Sequence, residues 1–138
     1  MLELLAKIET WKMWVLCDRE PVANWSHGCV TLLGDAAHPM LQYLAQGACM
    51  AIEDAVTLGA ALHATPHDVA AAFRRYQQAR YLRTGRVQLT ARFYGEIYHA
   101  SGVMRELRNL MFQSGSEAAG FIGTHWLYQG IDPDRPLE

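Results

Sequence analysis

Cys29-Val30-Thr31-Leu32-Leu33 is an unbroken apolar and β-branched run, stopped by Gly34. It lacks the polar alternation of a half-exposed strand and so suits a strand covered on both faces, as in a parallel sheet. Such a strand cannot stand alone, because its backbone N–H and C=O groups need partners on either side. The rest of the sequence offers little to supply them. Trp14-Val15-Leu16-Cys17 reads as a second short strand closed by the charged turn Asp18-Arg19-Glu20-Pro21, and His27-Gly28 marks another turn. The further strands of the sheet are expected to come from elsewhere than these 138 residues.

Most of what remains has helical periodicity. Leu2, Leu4, Leu5, Ile8 and Trp11 predict an opening amphipathic helix. From Gly47 through Leu62 the pattern is helical, with Ala48, Ile52, Ala55, Val56 and Gly59 forming a small-residue face. Pro66 interrupts and suits the first turn of a second helix, expected from His67 to about Tyr98, with Gly85 and Gly95 as places for a bend. Ser101 is placed to cap a third helix through Met111. Trp126-Leu127-Tyr128, followed by turn chemistry from Gly130 to Pro133, reads as a segment packed back onto the body.

Hydrophobic residues make up 51% of the chain and charged ones 19%, a globular composition. The net charge of −2 gives no reason to expect a nucleic-acid or anionic-membrane partner. From Phe73 to Arg108, however, eight arginines stand against two acids, Glu96 and Glu106. A solvated helical face or a subunit contact is the plainer reading of that stretch, and a phosphate-binding surface the other. Cys17, Cys29 and Cys49 have no CxxC spacing and lie in apolar stretches, so they are expected to be buried free thiols in a reducing compartment. The N-terminus has acids and a lysine among its leucines, unlike a signal peptide, and no apolar run approaches the roughly 20 residues that span a bilayer. The expectation is a soluble cytoplasmic protein.

The chemistry concentrates in Leu32-Leu33-Gly34-Asp35-Ala36-Ala37-His38-Pro39, continuing through Gln46-Gly47-Ala48 to Glu53-Asp54. A glycine ending a buried strand lets a ligand approach the backbone. An aspartate at a strand's C-terminal end can accept hydrogen bonds from sugar-type hydroxyls, and ligands of open α/β sheets bind at that end. Gly47-Ala48 opens a helix, whose free N–H groups favour negative charge. The combination fits a polyhydroxylated, anionic cofactor; an ordinary turn followed by an ordinary helix start fits the same spacing.

These residues resemble the second flavin motif of the single-component FAD-dependent aromatic hydroxylases. Within that family, Trp11-Lys12-Met13-Trp14, Asp18-Arg19-Glu20-Pro21 and Met40-Leu41-Gln42-Tyr43-Leu44-Ala45-Gln46-Gly47 are most similar to members acting on 3-hydroxybenzoate, with the salicylate hydroxylases next. The tail from Trp126 to Pro136 resembles the family's C-terminus, so the likeness spans the chain. It implies an α/β protein: the C-terminal part of a dinucleotide-binding (FAD) fold followed by a mostly helical C-terminal region. Residues 1–28 would end a substrate-domain segment, 29–65 would carry the second FAD motif, and 66–138 would form the helical region.

The resemblance also implies roles. Gly34 and Asp35 would bind the cofactor, Asp35 accepting from a ribityl hydroxyl of FAD, and the Gly47 and Ala48 amides would face the ring's N1–C2=O side. Pro39 would line the pocket beside the reactive edge. Gln42 is the candidate for contacting the substrate's phenol, a solvent-facing loop amide being the other reading, and Tyr43 is wall rather than catalyst. The implied activity is ring hydroxylation of a small phenolic benzoate, such as 3-hydroxybenzoate or a salicylate-like acid, with NADH or NADPH as reductant and O2.

Two departures stand out. Relatives commonly carry asparagine at the position of Cys49, and the family's GxGxxG segment has no counterpart in this sequence. The 138 residues alone are therefore expected to be inactive, and the macromolecular partners expected are a missing N-terminal half or a homo-oligomer. The alternative is a non-catalytic truncated remnant, acting at most as an assembly partner. No metal site is expected, since Pro66 breaks any helix that would bring His63 and His67 together.

Overall fold

A computed structural model describes residues 2–115 and 117–129. In chain order the elements are α1 (Leu2–Leu5), β1 (Ser26–His27), β2 (Val30–Thr31), 3-10 turns at Gly34–Ala36 and Gln42–Leu44, α2 (Gly47–Ala64), α3 (Val69–Tyr98), α4 (Gly102–Ser114) and α5 (Glu117–Tyr128). The body is α2 packed on α3, with both 3-10 turns and the small β ladder seated against that pair.

The expected central strand over Cys29–Leu33 is not formed at that length. Only Val30 and Thr31 pair, antiparallel to His27 and Ser26, across a tight turn in which Gly28 takes a left-handed φ of 56°. Among the described residues nothing pairs with the other edge, and Val30 is 67% exposed. An apolar run without a neighbour has nothing to extend its ladder, whatever its propensity. Trp14–Cys17 likewise forms no strand, and the opening helix ends at Leu5 although its periodicity runs on to Trp11. The three cysteines are exposed, correcting their expected burial: the apolar stretches of Cys17 and Cys29 are not covered by described residues, and Cys49 is on the outward side of α2, next to the buried Met50.

The helices follow the sequence more closely. α3 begins at Val69, capped by Asp68, whose side chain accepts from the Ala71 N–H at 2.8 Å. Pro66 thus precedes the helix instead of entering its first turn, because the Asp68 cap supplies the stronger start signal. Ser101 holds the N-cap position of α4 without a side-chain cap bond. α4 leaves Met104, Leu107, Met111 and Phe112 exposed.

Ala72, Tyr76, Arg80, Thr84, Val87, Ala91 and Gly95 recur every three or four residues as the buried stripe of α3. One apolar cluster joins Trp25, Ala37, Ala61, Ala72 and Tyr76; a second joins Met50, Val87 and Leu127. Trp126 lies against the second cluster, so Trp126-Leu127 does pack back onto the body; Gly130 to Pro133 lie outside the described residues. Gln77 pins the preceding strand segment, its Oε1 accepting from the N–H groups of Trp25 and Ser26 at 2.9 and 3.0 Å. No helix among the described residues is long and apolar enough to cross a membrane.

Gly85 and Gly95 do not interrupt α3. They are points of close approach: a Cβ on Gly95 would lie 2.5 Å from Tyr43 Cε2, and one on Gly85 would lie 3.2 Å from Pro21 Cβ. The Tyr43 ring is also fixed by edge contacts with Tyr98 and His99. Gly95→Ala should therefore lose stability, since overpacking costs about 1–3 kcal/mol and the better helix propensity of alanine returns only about 1. A Cβ on Gly59 meets nothing within 4 Å, so Gly59→Ala should raise the melting temperature. Thermal unfolding of both variants should move them in opposite directions.

Candidate functional site

The segment Gly34–Pro39 is held from within by side chains of three other regions. Gly34 has a left-handed φ of 59°, and a Cβ there would stand 3.3 Å from Ala51 Cβ, pressing into α2. The Gly34 N–H donates to Asp54 Oδ2 at 3.0 Å, and His38 Nε2 lies 2.5 Å from the same oxygen. A guanidinium nitrogen of Arg19 donates to the carbonyls of Ala36 and Ala37. Gln88 Nε2 donates to the Pro39 carbonyl at 2.9 Å and to that of Arg19 at 3.2 Å.

Behind the loop lies an ion network. Arg80 donates from Nε to Asp54 Oδ1 and from Nη1 to Glu53 Oε2, both at 2.7 Å. Arg83 forks onto the Glu53 carboxylate at 2.6 Å through both Nε and Nη2, the bidentate geometry that arginine provides. Asp54 and Arg80 are fully buried. Burial alone would raise the Asp54 pKa, but hydrogen bonds from His38, Arg80 and the Gly34 N–H hold it below its ordinary value. Glu53 is treated alike: burial pushes upward, and Arg83 and Arg80 prevail. The Tyr76 phenol is pushed up by burial and by the neighbouring Asp54 charge.

The arginine-rich stretch is thus not simply a solvated face. Arg80 and Arg83 enter this network, Arg92 pairs with Asp18 at 2.5 Å and with Glu20, and Arg86 stacks over Trp126 with its guanidinium carbon 3.8 Å from the ring centroid. The acids that balance these cations come from α2 and from the segment before β1, which is why a local charge count misses the pairing. Arg19, Arg80 and Gln88 were not singled out as site residues by sequence. The available signal for two of them was position: Arg80 and Gln88 fall on the helical stripe that contains Tyr76 and Thr84.

On the outer side the arrangement is open. Asp35 is exposed and its carboxylate makes no hydrogen bond among the described residues, yet a Cβ on Gly47 would lie 3.7 Å from its Oδ1. Gly34, Asp35, Gly47 and Ala48 therefore gather at the start of α2, where Gln46 contributes no side-chain cap and the first-turn amides stay open. Pro39 is partly buried and follows directly, while Gln42 is exposed in the second 3-10 turn. No group of three metal-ligating side chains occurs among the described residues.

Comparison with known proteins decides what this arrangement belongs to. Residues 3–89 match a family model described as an FAD binding domain. The chain belongs to the FAD-binding domain family. It is 47% identical over 136 residues, 99% of this chain and 34% of the relative, to the 3-hydroxybenzoate 6-hydroxylase of Klebsiella oxytoca. To the enzyme of that name from Polaromonas naphthalenivorans it is 50% identical, over 91% of this chain and 32% of the relative. Among solved structures, Klebsiella pneumoniae HpxO complexed with FAD and uric acid superposes with a TM-score of 0.72 at 36% identity, covering 77% of this chain and 27% of that one. The chain spans about a third of the length of the curated relatives it matches. The residues present suit the family's cofactor: an exposed acceptor at Asp35 beside open amides at Gly47 and Ala48 offers a ribityl chain and a polar ring edge complementary groups.

The ion network sets an acid limit on stability. Both carboxylates have folded-state pKa values below their ordinary 3.8 and 4.5, so they bind fewer protons folded than unfolded around those values. Their contribution is present above that range and is lost as pH falls through the folded values. The melting temperature should hold from neutral pH to about pH 5 and fall below about pH 4. Asp54→Asn should start lower at pH 7, with Arg80 left short of a partner, and its gap from the parent should narrow as the pH is lowered. Thermal unfolding across that pH series checks both statements.

Proposed function

We propose that this chain forms the flavin-facing part of an FAD-dependent aromatic-ring monooxygenase that hydroxylates a phenolic benzoate such as 3-hydroxybenzoate, with NADH or NADPH as reductant and O2 as co-substrate. The observation that carries the reading is the exposed Asp35 carboxylate, without a hydrogen bond among the described residues, beside the open start of α2. The names of the relatives, matched across nearly the whole chain, support the substrate class.

When bound, FAD supplies the electron transfer and oxygen activation. The residues here bind and orient. Asp35 accepts from a ribityl hydroxyl, and the Gly47 and Ala48 amides stabilise charge at the N1–C2=O side of the ring. Pro39 gives a rigid apolar wall with no N–H to compete for the substrate. Gln42, exposed in the adjoining turn, orients the phenol through its side-chain amide.

In the full-length protein, Asp35→Ala should weaken FAD binding by about 1–3 kcal/mol, or about 5- to 150-fold in Kd, because a ribityl hydroxyl loses its acceptor. Equilibrium titration of the apoprotein with FAD measures this, and an unchanged Kd returns Asp35 to the status of a turn residue. Gln42→Ala should slow hydroxylation more than flavin reduction and divert NADH consumption into hydrogen peroxide. Stopped-flow measurement of the two half-reactions, with a peroxide assay, removes Gln42 from the site if both are affected equally or neither is.

A further inference from the structure

We propose that Asp54, clamped by Arg80, is the positioning residue of the flavin site: it fixes the direction in which Asp35 is presented without touching the cofactor. The inference rests on the reading of Asp35 as the ribityl acceptor and adds what holds that acceptor in place.

The geometry begins with Asp35 itself. Its carboxylate has no hydrogen bond among the described residues, so its direction is that of the turn on which it rides. That turn is closed by the N–H groups of Ala37 and His38, both donating to the Gly34 carbonyl at 2.9 Å. Its two ends meet at a single atom. Asp54 Oδ2 accepts the Gly34 N–H on one side of Asp35 and contacts His38 Nε2 on the other. The second oxygen, Oδ1, is taken by Arg80 Nε, so the carboxylate cannot rotate without breaking a charge-assisted bond in a fully buried setting.

Asp54 also sets the distance from Asp35 to the helix start. Gly47, Ala51 and Asp54 share one stripe of α2, spaced four and then three residues apart. Ala51 is the residue against which Gly34 is pressed, and Gly47 is the one beside Asp35 Oδ1. The acceptor and the open amides are thus referenced to the same rigid helix through Asp54. Arg80 adds bonds to Glu53 and to the Met50 carbonyl, the latter at 3.3 Å, and so ties this stripe to α3.

A residue acting through Asp35 and one that merely supports the fold differ in a thermodynamic cycle. The FAD dissociation constant is measured by flavin-fluorescence titration for full-length parent protein, Asp35→Ala, Asp54→Asn and the double variant, well below each melting temperature. Asp54→Asn should weaken FAD binding at least about fivefold in the parent but less than about twofold in the Asp35→Ala background. The bound flavin's visible spectrum should shift with Asp54→Asn in the parent background alone. Equal penalties in both backgrounds, or none in either, overturn the proposal while leaving Asp35 as a ligand. No effect of Asp35→Ala overturns the ligand reading and the proposal with it. Should Asp54→Asn not fold, Arg80→Lys, which keeps the charge but loses the fork, takes its place in the same cycle and is judged by the same outcomes.

Discussion

A carboxylate and a guanidinium, both fully buried, meet at 2.7 Å between α2 and α3, and much of the rest hangs on that contact. Taking two charges out of water is costly, and only good geometry with every remaining polar atom satisfied makes it tolerable. The Asp54–Arg80 pair meets that condition: each Asp54 oxygen has a partner, and Arg80 spends its other donors on Glu53 and Met50. Such a pair contributes little net stability over a hydrophobic replacement. What it adds is direction, because a carboxylate saturated by named donors has one orientation where an apolar contact would have several.

The helices were legible because their information is local. The helical period after Gly47 and the long one after Asp68 need only a partner helix, and each supplies the other's. The small-residue face itself is turned outward, since Ile52 and Val56 are exposed and α2 buries Met50, Asp54 and Ala61 instead. The motif around Gly34 was legible for a related reason: glycine at a positive φ and an aspartate beside it carry their chemistry in the residue type. Cys29–Leu33 failed as a strand because pairing is not a property of one segment, and the described residues give it two laddered positions. Cys17 and Cys29 failed alongside it, since apolar neighbours in sequence bury a thiol only when something in space covers them. Cys49 failed because one step along a helix from the buried Met50 turns its thiol outward.

The polar residues behind the loop were the least legible. Arg80 and Gln88 sit on a helical stripe with Tyr76 and Val87, and a buried stripe is ordinarily read for its apolar members. Glu53-Asp54 was part of the motif by resemblance, yet the arginines that pair with these acids lie more than twenty residues away on a different helix. Long-range charge pairing has no period in sequence. Only the packing of α2 on α3 shows that those acids point inward, toward arginines that a charge count had assigned to the surface.

Arg83 carries a consequence of another kind. The same guanidinium that grips Glu53 also donates to the carbonyls of Trp126 and Leu127, both at 3.2 Å, in the last turn of α5. Those carbonyls would otherwise be left over at a helix terminus. One side chain is therefore shared between the C-terminal segment and the network behind the loop. Amide protons of α5 and of the first turns of α2 should consequently belong to one cooperative opening unit, exchanging with solvent on a common timescale despite lying some seventy residues apart in the chain.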